Sequence, residues 1–211
     1  MKKPMIFFSE IKVMKDQVDP AWSIWKNLGL DNLPVNSERK CFRSESEDNV
    51  FIELISISSF EDAEFILSKR ENFIRSMNEL TASDWHQQIF YHVETVVESN
   101  VALPASEKLQ MRYVEVPKSV ENEYLEWRKN TIFEVVKSSD RIKGFEAYHT
   151  YISNQPGVMF FSSFEGDSAT YMKDIFETDR YNDIIQQAGD KYVAGGKSGL
   201  HTKIYVSELN L

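Results

Sequence analysis

The side chains best able to move a proton in this sequence are its four histidines, His86, His92, His149 and His201, with the acids and phenols around them. His92 and Glu94 stand two apart in Ile89 to Val97, an apolar run that reads as a strand, so a regular strand puts both on one face. An imidazole beside a carboxylate is an acid/base pair if that face looks into a cavity, and a pair of solubility residues if it looks at water. His149 stands between Tyr148 and Tyr151, where it either satisfies a core hydrogen bond or orients a phenolic or quinone-like substrate. His201 follows the segment Gly195-Gly196-Lys197-Ser198-Gly199 and shares a strand face with Lys203 and Tyr205. Trp22, Trp25 and Trp127 fall in helical patterns, as core anchors or as the wall of a pocket. Arg112 and Glu115 are polar positions in an otherwise apolar strand. The catalytic candidates are therefore His92, Glu94 and His149, and the ligand-binding candidates Trp22, Trp25, Trp127, Tyr148 and His201.

Several chemistries are excluded by spacing. No two histidines lie four apart on a helix, and Cys41 is the single cysteine, so neither a zinc-protease pair nor a cysteine metal set nor an internal disulfide is expected. The glycine-rich segment lacks the spacing of a phosphate loop and precedes a strand, which reads as a flexible connection or small lid. The 24 basic against 33 acidic residues give a net charge of −9, with no basic stripe for nucleic acid or for an anionic membrane. No window approaches the ~20 apolar residues that span a bilayer, and Met1-Lys2-Lys3-Pro4 does not open a secretory signal; a cytoplasmic location is the expectation.

The elements that must position these residues come in two similar sets. Ser58-Ser59-Phe60-Glu61 recurs half a chain later as Ser162-Ser163-Phe164-Glu165, and Trp25-Lys26-Asn27 has a counterpart in Trp127-Arg128-Lys129-Asn130. Each copy of the first motif ends an apolar run and starts a helical pattern. In the first set, Ile6 to Val13 is a strand, Asp19-Pro20 starts a helix carrying Trp22, Trp25 and Leu28 up to Gly29, and Cys41 to Glu45 with Val50 to Ser56 makes a hairpin. Ser59 caps a second helix with Asp62 three residues on, and Ile89 to Val97 closes the set. The second set runs Leu109 to Val116, a helix from Val120 to about Ser138, a hairpin of Phe145 to Ile152 and Val158 to Phe164 turning at Asn154-Gln155-Pro156-Gly157, a helix from about Ala169 to Ala188, and Leu200 to Val206. Both read β-α-β-β-α-β, so the fold class is α+β: two tandem ferredoxin-like units, residues 1–99 and 109–211, joined by a linker at 100–108. Strands such as Phe145 to Ile152 are apolar on both faces, which calls for the two antiparallel sheets to bury one another in a barrel.

This double pattern resembles the dimeric α+β barrel superfamily in a fused, single-chain form. Val158 to Ile185, a strand, Ser-Phe-Glu and then a helix carrying Phe176-Glu177-Thr178-Asp179-Arg180-Tyr181, is similar to the matching segment of antibiotic-biosynthesis-monooxygenase-like domains. The resemblance implies a small-molecule-binding protein or cofactor-independent oxygenase acting on an aromatic or apolar compound, as monomer or homodimer. It also leaves two alternatives: a non-catalytic interaction module with a packed barrel, and a haem-binding protein. The haem-degrading branch pairs an Asn on the first strand with a Trp and a His near the second helix. Here neither Ile6 to Val13 nor Leu109 to Val116 holds an Asn, and only Trp85-His86 lies near the second helix of either set.

Overall fold

The computed structural model describes residues 3–27, 33–153 and 157–207. Its elements are β1 (Met5–Lys12), α1 (Val18–Lys26), β2 (Arg39–Ser44), β3 (Val50–Ile57), α2 (Phe60–Lys69), α3 (Glu71–Asn78) and β4 (His86–Val97). They continue as β5 (Lys108–Val114), α4 (Glu121–Asn130), α5 (Ile132–Lys137), β6 (Ile142–Ile152), β7 (Val158–Phe164), α6 (Ser168–Tyr171), α7 (Asp179–Tyr192) and β8 (His201–Val206). The strands close into one antiparallel barrel in the order β1-β3-β2-β8-β5-β7-β6-β4. Within it, the quartets β4-β1-β3-β2 and β8-β5-β7-β6 repeat one ferredoxin-like order. They meet edge to edge along β4–β6, over seven residue pairs, and along β2–β8, over two.

Strand alternation sends one set of side chains inward. Ile6, Phe8, Phe42, Leu54, Phe90 and Phe161 pack across the barrel axis with Leu109 and Met111 of β5, and Leu103, from the segment between β4 and β5, is 1 % exposed among them. The interior is thus filled with side chains over most of its length. The other faces carry the helices. Trp22 and Trp25 of α1 pack with Phe73 and Met77 of α3 on Phe51, while α4 to α7 cover Phe145 and Phe160.

The helices are more broken than their sequences imply. Ser59 does cap α2 in a capping box with Asp62. The chain then breaks at Arg70, because that side chain turns inward to Glu53. The helix expected to about Ser138 breaks at Thr131, whose hydroxyl donates to the Trp127 carbonyl at 2.6 Å. The last helical stretch divides into α6, a π turn over Met172–Phe176, and α7, which Thr178 caps. Asp19, expected as a cap, lies inside α1, which begins at Val18. The repeated Ser-Ser-Phe-Glu motif is not in structural register either. Ser59 caps α2, whereas Ser162 to Phe164 end β7 and Asp167 caps α6. Leu28, Gly29 and the turn Asn154-Gln155-Pro156 lie outside the described residues.

Candidate functional site

Alternation in β5 points Leu109 and Met111 into the barrel and Gln110, Arg112 and Val114 outward, under the helices. There the helices stand off the sheet and leave a narrow, partly open, largely apolar cleft with about 20 Å³ of free interior. Phe145 of β6 and Phe160 of β7 form its floor with Val114; Tyr124 of α4, Ile132 of α5 and Ile185 of α7 form its roof. The π turn carries Phe176 to one wall, and Tyr181 enters from the first turn of α7. Val193 and Leu200 close the rim beyond Gly189, which kinks α7 at φ 47°, a backbone angle that favours glycine. Its lining, apolar but for a few converging polar groups, is that of a small-molecule site, and its free volume as it stands is that of one or two waters.

Those polar groups are Arg112, Tyr181, Gln110 and Tyr124. Arg112 is 8 % exposed; it donates through Nε to Thr202 Oγ1 at 2.8 Å and through Nη1 to the Tyr181 hydroxyl. Its guanidinium carbon lies 4.4 Å from the Phe176 ring centre and 5.4 Å from that of Tyr181, in cation–π range. Burial pushes the Tyr181 hydroxyl pKa up, and the nearby Arg112 only partly offsets this, so Tyr181 stays a neutral phenol. Burial raises the Tyr124 and Tyr171 pKa values likewise. The Tyr171 hydroxyl lies 3.0 Å from Gln110 Oε1 and 2.8 Å from Ser162 Oγ, which fixes the Gln110 side chain from below.

The candidates chosen from sequence lie elsewhere. His92 points to the barrel axis at one end, with Nε2 3.0 Å from both Thr95 Oγ1 and Glu146 Oε2 and its ring edge-on to Tyr148. Glu94 does not join it. Val93 is an extra, unpaired residue between the pairs His92–Tyr148 and Glu94–Ala147, and this bulge turns Glu94 to the helix side, where Arg128 donates to it at 3.0 Å. The expected His92–Glu94 pair is therefore replaced by His92–Glu146. Tyr148 lies in the packed barrel and lines, with Lys3, Leu103, Gly144, Glu146 and Phe161, a smaller hollow at that end, with about 10 Å³ of free interior. His149 faces away from Tyr148, with its ring 5.5 Å from that of Tyr91, and touches neither cavity. His201 is exposed and stacks on Tyr113 at 5.1 Å. Trp22 and Trp25 are core residues, Trp25 donating to the Ile52 carbonyl at 3.3 Å. Trp127 stacks on Tyr192 at 5.1 Å; its neighbour Tyr124 is the one that lines the cleft.

None of the residues singled out as catalytic or ligand-binding lines this cleft; Arg112, visible in the sequence as a polar position in an apolar strand, does. Among the described residues no group of three or more His, Cys, Asp or Glu is placed to hold a metal, and no helix is long and apolar enough to cross a membrane. Haem, the alternative raised by the family resemblance, takes an imidazole, thiolate or phenolate ligand. No histidine lines the cleft, and its two phenols are held protonated, so the lining does not fit haem.

No family model matches the chain, and no curated protein matches it. Solved structures match over nearly its full length. An anthrone oxidase-like protein superposes with a TM-score of 0.71 at 10 % identity, over 98 % of this chain and 92 % of that one. A candidate monooxygenase from Lactobacillus acidophilus gives 0.64 at 11 % identity, over 97 % and 94 %. A candidate chlorite dismutase gives 0.60 at 12 % identity, over 98 % and 96 %. At these identities the likeness establishes the fold: a closed α+β barrel made of two ferredoxin-like units within one chain.

Proposed function

We propose that this protein binds a small aromatic or apolar molecule in the cleft between β5, β6, β7 and helices α4 to α7, and oxygenates it without a cofactor. The observation that carries the reading is the apolar cleft lined by Phe145, Phe160 and Phe176, into which the buried Arg112 and Tyr181 converge; a ring compound enters it as the covering helices shift outward. A packed interaction module has no use for such a cavity, and filling it would stabilise the fold. The oxygenase half of the reading leans on the fold shared with an anthrone oxidase-like protein and a candidate monooxygenase.

Anthrone is a suitable probe: with one dioxygen it gives anthraquinone and one water, so no reductant is needed. Oxygen uptake should match anthraquinone formed, one to one, with no added cofactor. The variant Ile132→Trp, which fills the cleft from α5, should abolish it and should weaken binding of 2-naphthol measured by calorimetry. Binding without uptake would leave a ligand-binding protein; no binding of either compound would return the chain to the packed-module reading.

A further inference from the structure

Three arginines are buried: Arg70, Arg112 and Arg128. Arg70 contacts Glu53 through two nitrogens, at 2.5 and 2.9 Å, and Arg128 reaches Glu94 at 3.0 Å. Arg112 alone among them has no carboxylate within salt-bridge distance among the described residues; its polar partners are the neutral hydroxyls of Thr202 and Tyr181. A guanidinium cannot lose its charge by shifting its pKa, so burying one without an anion is costly, and the two aromatic rings offset only part of that. The unpaired charge also lies on the cleft wall rather than in packed core. Its Nη2 group makes no hydrogen bond among the described residues, and the Tyr181 hydroxyl, which accepts from Nη1, still has its own proton to give.

Resting on the reading of the cleft as a ligand site, we infer that its ligand is an acid: an apolar ring compound bearing a carboxylate, which lies against Arg112 Nη2 and the Tyr181 hydroxyl while the ring slides over Phe145 and Phe160 as the covering helices give way. A carboxylate is favoured over a neutral oxygen because it both supplies the missing charge and accepts from two donors at once.

The test compares 2-naphthoate with its uncharged isostere 2-naphthamide, by calorimetry on the full chain near neutral pH. The carboxylate should bind at least about tenfold more tightly, as expected for one charge-assisted contact in a dry site. That preference should vanish in Arg112→Gln and persist in part in Arg112→Lys, and Tyr181→Phe should reduce it less. The first comparison needs no variant, so a misfolded Arg112→Gln protein does not blunt it. Equal affinity for the two probes overturns the inference and leaves the cleft a neutral-ligand site. Failure of both probes and of 2-naphthol overturns the cleft reading itself. A preference that survives in Arg112→Gln puts the anion elsewhere and also overturns the inference.

Discussion

Glu53 and Arg70 meet in a two-point ion pair in which both side chains have no exposed surface, with Arg39 completing the group against the same carboxylate. Glu53 sits on β3 and Arg70 at the break between α2 and α3, so the pair ties the helices to the sheet. Burial alone would raise the Glu53 pKa, but the two guanidiniums and their hydrogen bonds outweigh it and hold the carboxyl below the ordinary range. Glu53→Gln leaves two cationic groups facing a neutral amide in dry surroundings. A loss of about 3–5 kcal/mol is expected, read as a fall in the denaturant midpoint. The depressed pKa also sets a sign. Glu53 stabilises the fold above its unfolded pKa of about 4.3, and that contribution is lost as the pH falls through its lower folded value. The acid limb of the wild-type stability curve should therefore be steeper than that of Glu53→Gln below about pH 4.

His92 is held as a structural hydrogen-bonding group, shared between Thr95 and Glu146. His92→Ala strips the buried Glu146 of a partner and should cost about 1–3 kcal/mol in urea unfolding. Its affinity for 2-naphthol should match the wild type, because the residue does not touch the cleft. A large loss of affinity with stability unchanged would restore the site to the barrel end.

Gly199 is pressed against the preceding turn: a Cβ there would lie 1.9 Å from the Ala194 carbonyl oxygen. Backbone cannot yield as a side-chain tip can, so Gly199→Ala should destabilise by roughly 1–3 kcal/mol. Because the neighbouring Leu200 and Val193 close the cleft rim, naphthol binding should weaken too, unlike in the Glu53 and His92 variants.

Cys41 is half-buried on β2, and desolvation drives its thiol pKa up to about 12 despite the opposing pull of Arg39. At pH 8 the native protein should therefore react with a thiol reagent far more slowly than the urea-unfolded chain does. Fast labelling of native protein would contradict that placement.

The β-α-β-β-α-β rhythm was legible because strands and caps are local: Ser59 with Asp62, and the apolar run of β7, behave as their sequences imply. The site was not, for reasons that also have names. A two-residue spacing assigns a face only while the pleat is unbroken, and the bulge at Val93 leaves no mark in composition. The breaks at Arg70 and Thr131 arise from side chains reaching distant or neighbouring groups, which helical periodicity does not register. Tryptophans drew attention through size, yet size is what fits Trp25 for core packing. Arg112 was visible as a misplaced charge in β5, but its meaning depends on the absence of an acid across the fold, which only three dimensions reveal.

The two lines along which the quartets join are unequal, and that has a kinetic side. The β2–β8 contact, Arg43 to Val206 and Ser44 to Tyr205, links strands from opposite ends of the chain and has few rungs to hold it. Ring closure there comes late, since the intervening loop is about three quarters of the polypeptide. It is a first-order event, indifferent to dilution. The same short zipper is where the ring opens first, so the amide proton of Glu45, donated across it to the Ile204 carbonyl, should exchange ahead of those along β1–β3.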